Sequence, residues 1–218
     1  MKPYFQNDLV TLYYGDCREA GSLIPPGRIS LITDPVWPNA LRCLMGSDRP
    51  QALLAEMFQA YETLDIQRTA IHLGTDSDPR FLNAVPQSLK FFRTANLRYC
   101  CPGKKGRLLQ GNDTAYLFGA VPKSRQGQHL IAGDCYAAVA GRETAHPCPR
   151  KLIHAEWLLK WWSEPDDFIL DPFAGSGTTL LAAANLGRRA IGIEIEEKYC
   201  EMVARRFDQQ ILDLGLIA

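Results

Sequence analysis

Residues 31–40 read LITDPVWPNA, setting an acid, a proline and a large aromatic residue, Asp34, Pro35 and Trp37, directly after three strand-like residues. Such a group can be only a stiff turn at a strand end. It can equally hold a flat substrate, with the carboxylate on its edge and the ring on its face. A second candidate lies in FILDPFAGSGTTLLAAANLG. There a buried strand over 168–170 is expected to bend at Asp171-Pro172. Gly175 and Gly177 permit close approach of a ligand, and Ser176, Thr178 or Thr179 can cap the following helix. The first N–H groups of such a helix lack partners and accept anionic groups.

Leu180 stands where a third glycine would complete GxGxxG, and no lysine follows the glycines as a phosphate-cradling loop requires. A nucleoside without pyrophosphate therefore suits this turn better than a dinucleotide. The next strand, RAIGIE, ends in Glu194, an acid that can accept hydrogen bonds from two ribose hydroxyls. A lone GxG is also an ordinary tight turn, so its surroundings must decide.

The elements around both candidates follow βαβ grammar. LVTLYYGD and RISLITDP are short apolar or β-branched runs ending in turn residues, followed by the helix-like QALLAEMFQAYETL and the strand-like TAIHLG. The last unit reads strand, glycine-rich turn, helix, glycine stop, strand, helix. Two extended runs between 90 and 119 predict an antiparallel hairpin on the sheet edge with a long basic turn, and 120–145 reads as loop. RKLIHAEWLLKWW spaces Leu152, Ile153, Ala155, Leu158, Leu159 and Trp162 for one helix face against the sheet. Trp157 and Trp161 fall on another face, where packing under a loop is expected rather than ligand stacking.

The chain has 218 residues, enough for one substantial core and too few for two comfortable domains. Its 24 basic and 24 acidic residues cancel, so net charge recommends neither nucleic acid nor membrane. Locally the balance shifts: Lys104, Lys105, Arg107, Lys123, Arg125 and Arg142 cluster between the two candidate halves. Charge runs are commonly solvated loops, so this cluster needs independent support. Seven cysteines without a CxxC pair read as reduced core thiols, and no metal site is expected. No window approaches a membrane span, and no apolar leader opens the chain. The expectation is a soluble cytoplasmic protein.

DPFAGSGTT, followed by GIEIEEKYCEMVARR and preceded by YYGDC, LITDPVW and HPCPRKLIHAEWL, resembles the S-adenosylmethionine-dependent DNA amino-methyltransferases. The order is that of their permuted class, with the target-base tetrapeptide first and the cofactor turn last, as in small phage or restriction-modification members. The resemblance implies an α/β, Rossmann-like methyltransferase fold with a mostly parallel twisted sheet and an antiparallel edge hairpin. One catalytic domain would span 1–218, with a target-base half (1–97), a basic insert (98–145) and a cofactor half (146–218). Asp171, Phe173, Gly175, Ser176, Gly177, Thr178 and Thr179 would line the methionine part of the cofactor. Glu194 would hold its ribose, and Asp16 would meet the adenine amino group. HPCPRK matches the family's His-Pro-x-x-Lys-Pro box and implicates His146, Pro147 and Arg150, with Arg150 and Lys151 replacing the box's lysine and second proline.

The same resemblance gives Asp34-Pro35-Val36-Trp37 a task. An exocyclic base amine is a poor nucleophile because its lone pair is delocalised into the ring. The Asp34 carboxylate and the Pro35 carbonyl would each accept one amine hydrogen and localise that pair. Trp37 would stack on a base flipped out of the duplex, offsetting about 1–3 kcal/mol of lost stacking. Val36 and Pro38 depart from the commoner Pro-Tyr pattern. An aspartate at the first position favours N6 of adenine, with N4 of cytosine as the alternative. A catalytically silent nucleic-acid-binding relative is the competing class, and it would require damaged cofactor residues. Lys104, Lys105, Arg107, Lys123 and Arg125 would contact DNA phosphates. The small insert leaves little for a recognition domain, so short or relaxed specificity is expected, with room for a homodimer or a partner subunit.

Overall fold

The computed structural model describes residues 1–39, 43–105, 108–123, 133–137 and 150–215. One nine-stranded sheet runs through them. In chain order its strands are β1 (Pro3–Gln6), β2 (Val10–Tyr14), β3 (Ile29–Thr33), β4 (Ile66–Gly74), β5 (Phe91–Lys105), β6 (Leu108–Gly119), β7 (Asp134–Ala137), β8 (Phe168–Asp171) and β9 (Ala190–Glu194). The helices are α1 (Pro50–Ala60), α2 (Leu152–Trp162), α3 (Thr178–Asn185) and α4 (Glu197–Gly215). The spatial order of strands is β1-β2-β9-β8-β3-β4-β6-β5-β7.

β3 and β9 are buried along their whole length. A strand covered on both faces reads as a continuous apolar run, which is why ISLIT and AIGIE show no polar alternation. Successive side chains still point to opposite faces. Ile32 and Ala70 join α2, α3 and α4 in one core, whereas Leu31 and Ile71 join α1 in the other. α1 starts with proline at its first turn and turns Leu54, Met57 and Phe58 to the sheet.

β2, β9, β8, β3 and β4 are mutually parallel. From β8 the chain crosses through α3 to β9, on one side; from β3 it crosses through α1 to β4, on the other. Right-handed crossovers running in opposite directions put their helices on opposite faces and leave a crevice between β8 and β3. The carboxyl ends of these strands carry Asp171 and Thr33, so Asp34 and the glycine-rich turn open into one crevice.

The predicted hairpin differs in place and in shape. β6 pairs with β4 along seven positions, from Arg68 opposite Gly119 to Gly74 opposite Asp113, so the hairpin extends the sheet inward of its edge. β7 pairs parallel to β5 and forms that edge. Its four residues alternate exposed and buried, but a run that short inside 120–145 does not stand out in the sequence. The basic turn is also shorter than expected, since β5 continues through Lys105 and β6 resumes at Leu108, with a register shift between Arg98 and Gly103. A second antiparallel pair, β1 on β2, closes the opposite edge.

Two further expectations need correction. Ile153 is exposed, and His154 takes the buried place on α2, because the helix turns its second position away from the sheet. Cys17, Cys135 and Cys200 are core thiols, but Cys43 and Cys101 are exposed. Cys101 lies where β5 shifts register and leaves the covered part of the sheet.

At the amino end of the central strands, Asp167 accepts hydrogen bonds from Ser30 (2.6 Å) and the Glu164 amide (3.0 Å), and it pairs with Arg68. Both members of the ion pair are almost wholly buried. Arg68 also donates to the Ala120 carbonyl at 3.1 Å, so one guanidinium ties β4, β8 and the end of β6. Asp167→Ala would leave a buried charge without its partner, a loss of about 3–5 kcal/mol. Urea denaturation monitored by circular dichroism should show it; a shift below about 1 kcal/mol would mean that the pair is not a structural tie. Among the described residues no helix is long and apolar enough to cross a membrane.

Candidate active site

A cavity of about 860 Å³ opens at the carboxyl ends of β2, β9, β8, β3 and β4. Its walls hold Asp16, Asp34, Trp37, Asp171, Gly175 and Glu194 together, from four separate stretches of sequence. On one side lies the glycine-rich turn. Gly175 and Gly177 have φ of 50° and 73°, in the left-handed region that side chains rarely adopt. A Cβ on Gly177 would sit 2.7 Å from Val203 of α4, so that position is closed to any larger residue on two counts.

Gly177 occupies the N-cap of α3, and no side chain caps it. The expected capping hydroxyls are used otherwise: Ser176 Oγ and Thr178 Oγ1 lie 3.1 Å apart, and Arg206 of α4 donates to the Ser176 carbonyl at 2.6 Å. Leu180, which breaks the three-glycine fingerprint, is fully buried against β9. A Cβ on Gly192 would lie 2.6 Å from its side chain. The close helix-to-strand approach is thus kept, with the glycine on the strand instead of the helix.

Two acids flank this turn. Asp171 is 2 % exposed and accepts from Thr33 Oγ1 (2.7 Å) and the Phe173 amide (3.2 Å). Burial outweighs these bonds and pushes its carboxyl up to about 6. Glu194 accepts from the Gly175 amide (2.7 Å) and the Glu196 amide (2.8 Å), one on each oxygen. Burial raises its pKa as well. Each oxygen keeps a lone pair for a hydroxyl donor. Asp16 is more committed: it caps the turn after β2 through the Arg18 amide (2.9 Å) and meets the Arg18 guanidinium, which lowers its pKa. Phe173 and Thr179 line the same wall.

Across the cavity, β3 delivers Asp34 and the Pro35-Val36-Trp37 turn. The Trp37 indole N–H donates to the His72 carbonyl at 3.1 Å, and a Cβ on Gly74 would lie 2.6 Å from the ring. Gly74 therefore makes the slot in which Trp37 lies. Gly74→Ala should force the indole out of that slot at a cost of about 1–3 kcal/mol, visible as a changed tryptophan emission and a lower melting temperature. Unchanged emission would show that the ring has room to spare.

Arg150 stands in an unexpected place. The cofactor role implied for it would put it beside the glycine turn, yet its Nε–H donates to Asp34 Oδ2 at 2.6 Å and Nη2 to Asp34 Oδ1 at 3.2 Å. Nη1 donates to Asp113 Oδ2 at 2.7 Å, and the guanidinium carbon lies 4.4 Å from the centroid of Trp37. Tyr99 donates to the same Asp113 oxygen at 2.5 Å. Burial opposes the charge on Arg150, and Asp34 and Asp113 outweigh it, so the guanidinium is held more firmly protonated than in water. His72 lines the same wall with Nδ1 buried and without a hydrogen-bond partner. Burial, helped by the Arg150 charge, pushes its imidazole down to about 3.

Asp113, Tyr99 and His72 were not apparent as site residues, since each sits inside a strand pattern. The available signal was weak: Asp113 lies in the polar run Gln110–Thr114 near the start of β6, and only its neighbours from Ala115 to Phe118 are largely apolar. His146, Pro147, Arg107, Arg125 and Arg142 lie outside the described residues. The backbone of Lys104 and Lys105 ends β5, and Lys123 is exposed beyond β6. Among the described residues, no group of three or more His, Cys, Asp or Glu is placed to hold a metal ion.

Residues 113–205, from β6 into α4, match a family described as DNA methylase. Type II methyltransferase M.ScaI of Streptomyces caespitosus is 42 % identical over 71 residues, which are 33 % of this chain and 23 % of that protein. The DNA adenine methyltransferase YhdJ of Escherichia coli K12 is 54 % identical over 63 residues, 29 % of this chain and 21 % of that protein. The match thus spans about a quarter of the length of these curated relatives. Among solved structures, the M1.HpyAVI–SAM complex superimposes with a TM-score of 0.66 at 21 % identity, covering 91 % of this chain and 100 % of that one. The cytosine-N4-specific PvuII DNA methyltransferase gives 0.70 at 19 % identity, covering 94 % and 89 %. These two likenesses establish the fold. The sequence match across the glycine turn is to DNA methylases that carry the same turn.

Proposed function

We propose that this chain binds S-adenosylmethionine and methylates the exocyclic amine of a base in DNA, N6 of adenine in preference to N4 of cytosine. The observation that carries the proposal is the single cavity that joins the acid-flanked glycine turn of β8 and β9 to the Asp34-Pro35-Val36-Trp37 turn of β3. The residues on the first side suit the cofactor. Glu194 has lone pairs left for ribose hydroxyls, the turn carries no Cβ at Gly175 or Gly177, and the Asp171 carboxylate balances a cation.

When bound, S-adenosylmethionine supplies an electrophilic methyl group on a positively charged sulfur. The chain's own residues orient the acceptor. Asp34 and the Pro35 carbonyl take one amine hydrogen each, which turns the nitrogen lone pair toward the methyl carbon. Asp34 then receives the proton that the amine loses. Proline removes an N–H that would compete at this turn and fixes its φ, so the carbonyl is aimed. Trp37, seated on Gly74, offers a ring face to a base taken out of the stack.

Lys104, Lys105 and Lys123, with Arg107, Arg125 and Arg142, would meet DNA phosphates and position the duplex without reading it. Specificity is then short or relaxed, or supplied in part by a second subunit. The preference for adenine rests on the aspartate at position 34 and accords with YhdJ, named an adenine methyltransferase; PvuII is the cytosine counterexample.

The test is incubation of unmethylated phage-length DNA with S-adenosylmethionine carrying a labelled methyl group, beside RNA and free nucleosides, followed by single-molecule mapping. N6-methyladenine in a short, degenerate context is expected. Label in cytosine N4 would move the base assignment, a strict motif of six or more bases would refute relaxed specificity, and no label in DNA would refute the function.

A further inference from the structure

Arg150 makes, from within the chain itself, the contacts assigned above to the target base. Its flat guanidinium lies over the Trp37 ring at 4.4 Å, and two of its N–H groups point at the two Asp34 oxygens. An aromatic amine would offer the same carboxylate an N–H donor and the same indole a flat face. The two occupants cannot share the place.

We infer that Arg150 is an internal occupant of the base site, which the target base must displace, and that Asp113 holds the displaced guanidinium. This inference rests on the base-methylating function proposed above. Asp113 is well placed for the task. Its side chain is 3 % exposed, it is fixed by the Tyr99 hydroxyl, and it already accepts from Arg150 Nη1. Leaving Asp34 therefore does not strand a buried charge: the guanidinium keeps one carboxylate while the base takes the other.

The occupant also explains how an anionic clamp is kept in order without substrate. Asp34 and Asp113 approach one guanidinium from two sides, and without it two carboxylates would face each other across the cavity. Arginine suits the position where lysine would not, because only the planar fork reaches both acids and stacks on the ring. The departure from lysine at 150 thus gains a purpose: base selection by competition. A base that cannot donate to Asp34 while stacking on Trp37 fails to remove the arginine.

Competition of this kind lowers apparent substrate affinity by the fraction of time the site is open. Two variants should then move in opposite directions. Arg150→Lys cannot bridge the acids and stack, so the KM for DNA should fall about tenfold, with kcat reduced less. Asp113→Asn weakens the resting place, so Arg150 stays on Asp34 and KM should rise by a similar factor. Steady-state transfer to unmethylated phage DNA, with each variant's melting temperature as the fold control, reads both. If Arg150 only oriented Asp34, both variants would lose kcat with KM unchanged or raised, and that result overturns the inference while leaving the function intact. A wild-type protein that methylates no DNA overturns the function and this inference together. Should Asp113→Asn fail to fold, the sign of the KM change in Arg150→Lys decides alone.

Discussion

Asp34→Ala is expected to lower methyl transfer to DNA by about 10²–10³-fold while S-adenosylmethionine still binds. In the proposed function the carboxylate is one of two acceptors that localise the amine lone pair, and removing a preorganised polar partner of a transition state costs on that scale. Cofactor binding should survive because Asp34 and the glycine turn sit on separate strands, β3 and β8. Alanine leaves the Arg150 guanidinium with Asp113 and the Trp37 face, so the fold keeps its charge paired. Asp34→Asn tightens the argument. It preserves shape, but its amide presents a donor where the amine also presents one. Both variants should bind cofactor with wild-type affinity by calorimetry and fail in transfer. Transfer within a few-fold of wild type in either variant would show that another group activates the amine.

What could be read in advance follows the physics of each signal. The unit from Phe168 to Arg206 was legible because each boundary has a local cause. Buried strands read as apolar runs, Gly175 and Gly177 adopt φ that other residues avoid, and Gly187, at φ 64°, ends the helix. The Asp34 turn was legible for the same reason: proline and aspartate punctuate a strand end. Leu180 was read correctly as a departure from the dinucleotide fingerprint. Its compensation by Gly192 is a contact between helix and strand and has no local sign.

The rest of the site is made of distant pairings. Asp113 comes to Arg150 because β6 runs antiparallel to β4 and lays Asp113 opposite Gly74. No periodicity encodes that register, and the same register brings Asp113 beside the slot that holds Trp37. β7 does alternate exposed and buried, but four residues are too few for that pattern to be told from chance in a sequence. The family resemblance suggested Arg150 as a cofactor residue from its place in a motif. Its actual partners, Asp34 and Asp113, are 116 and 37 residues away, and only the folded sheet unites them.

The pH dependence of cofactor binding should be large and should report on Asp171. Burial raises its carboxyl from an ordinary value near 3.8 to about 6. In the free protein the fold therefore holds an extra proton between these two values. The contribution of this group to stability is fully present below the lower one and is lost as pH rises through about 6, where a buried carboxylate must form. A cationic ligand reverses the preference, since it binds the ionised form. Affinity for S-adenosylmethionine should thus fall as pH drops below 6, approaching about tenfold per unit. Glu194, whose pKa burial also raises, faces the same cavity and must be separated from it. Asp171→Asn keeps an oxygen for Thr33 and the Phe173 amide but carries no charge at any pH. It should bind the cofactor weakly above pH 6 and lose the step near 6, whereas Glu194→Gln should weaken binding and keep that step. Calorimetric titration of each protein between pH 5 and 8 distinguishes them, and an unchanged step in Asp171→Asn would assign the titration to another group.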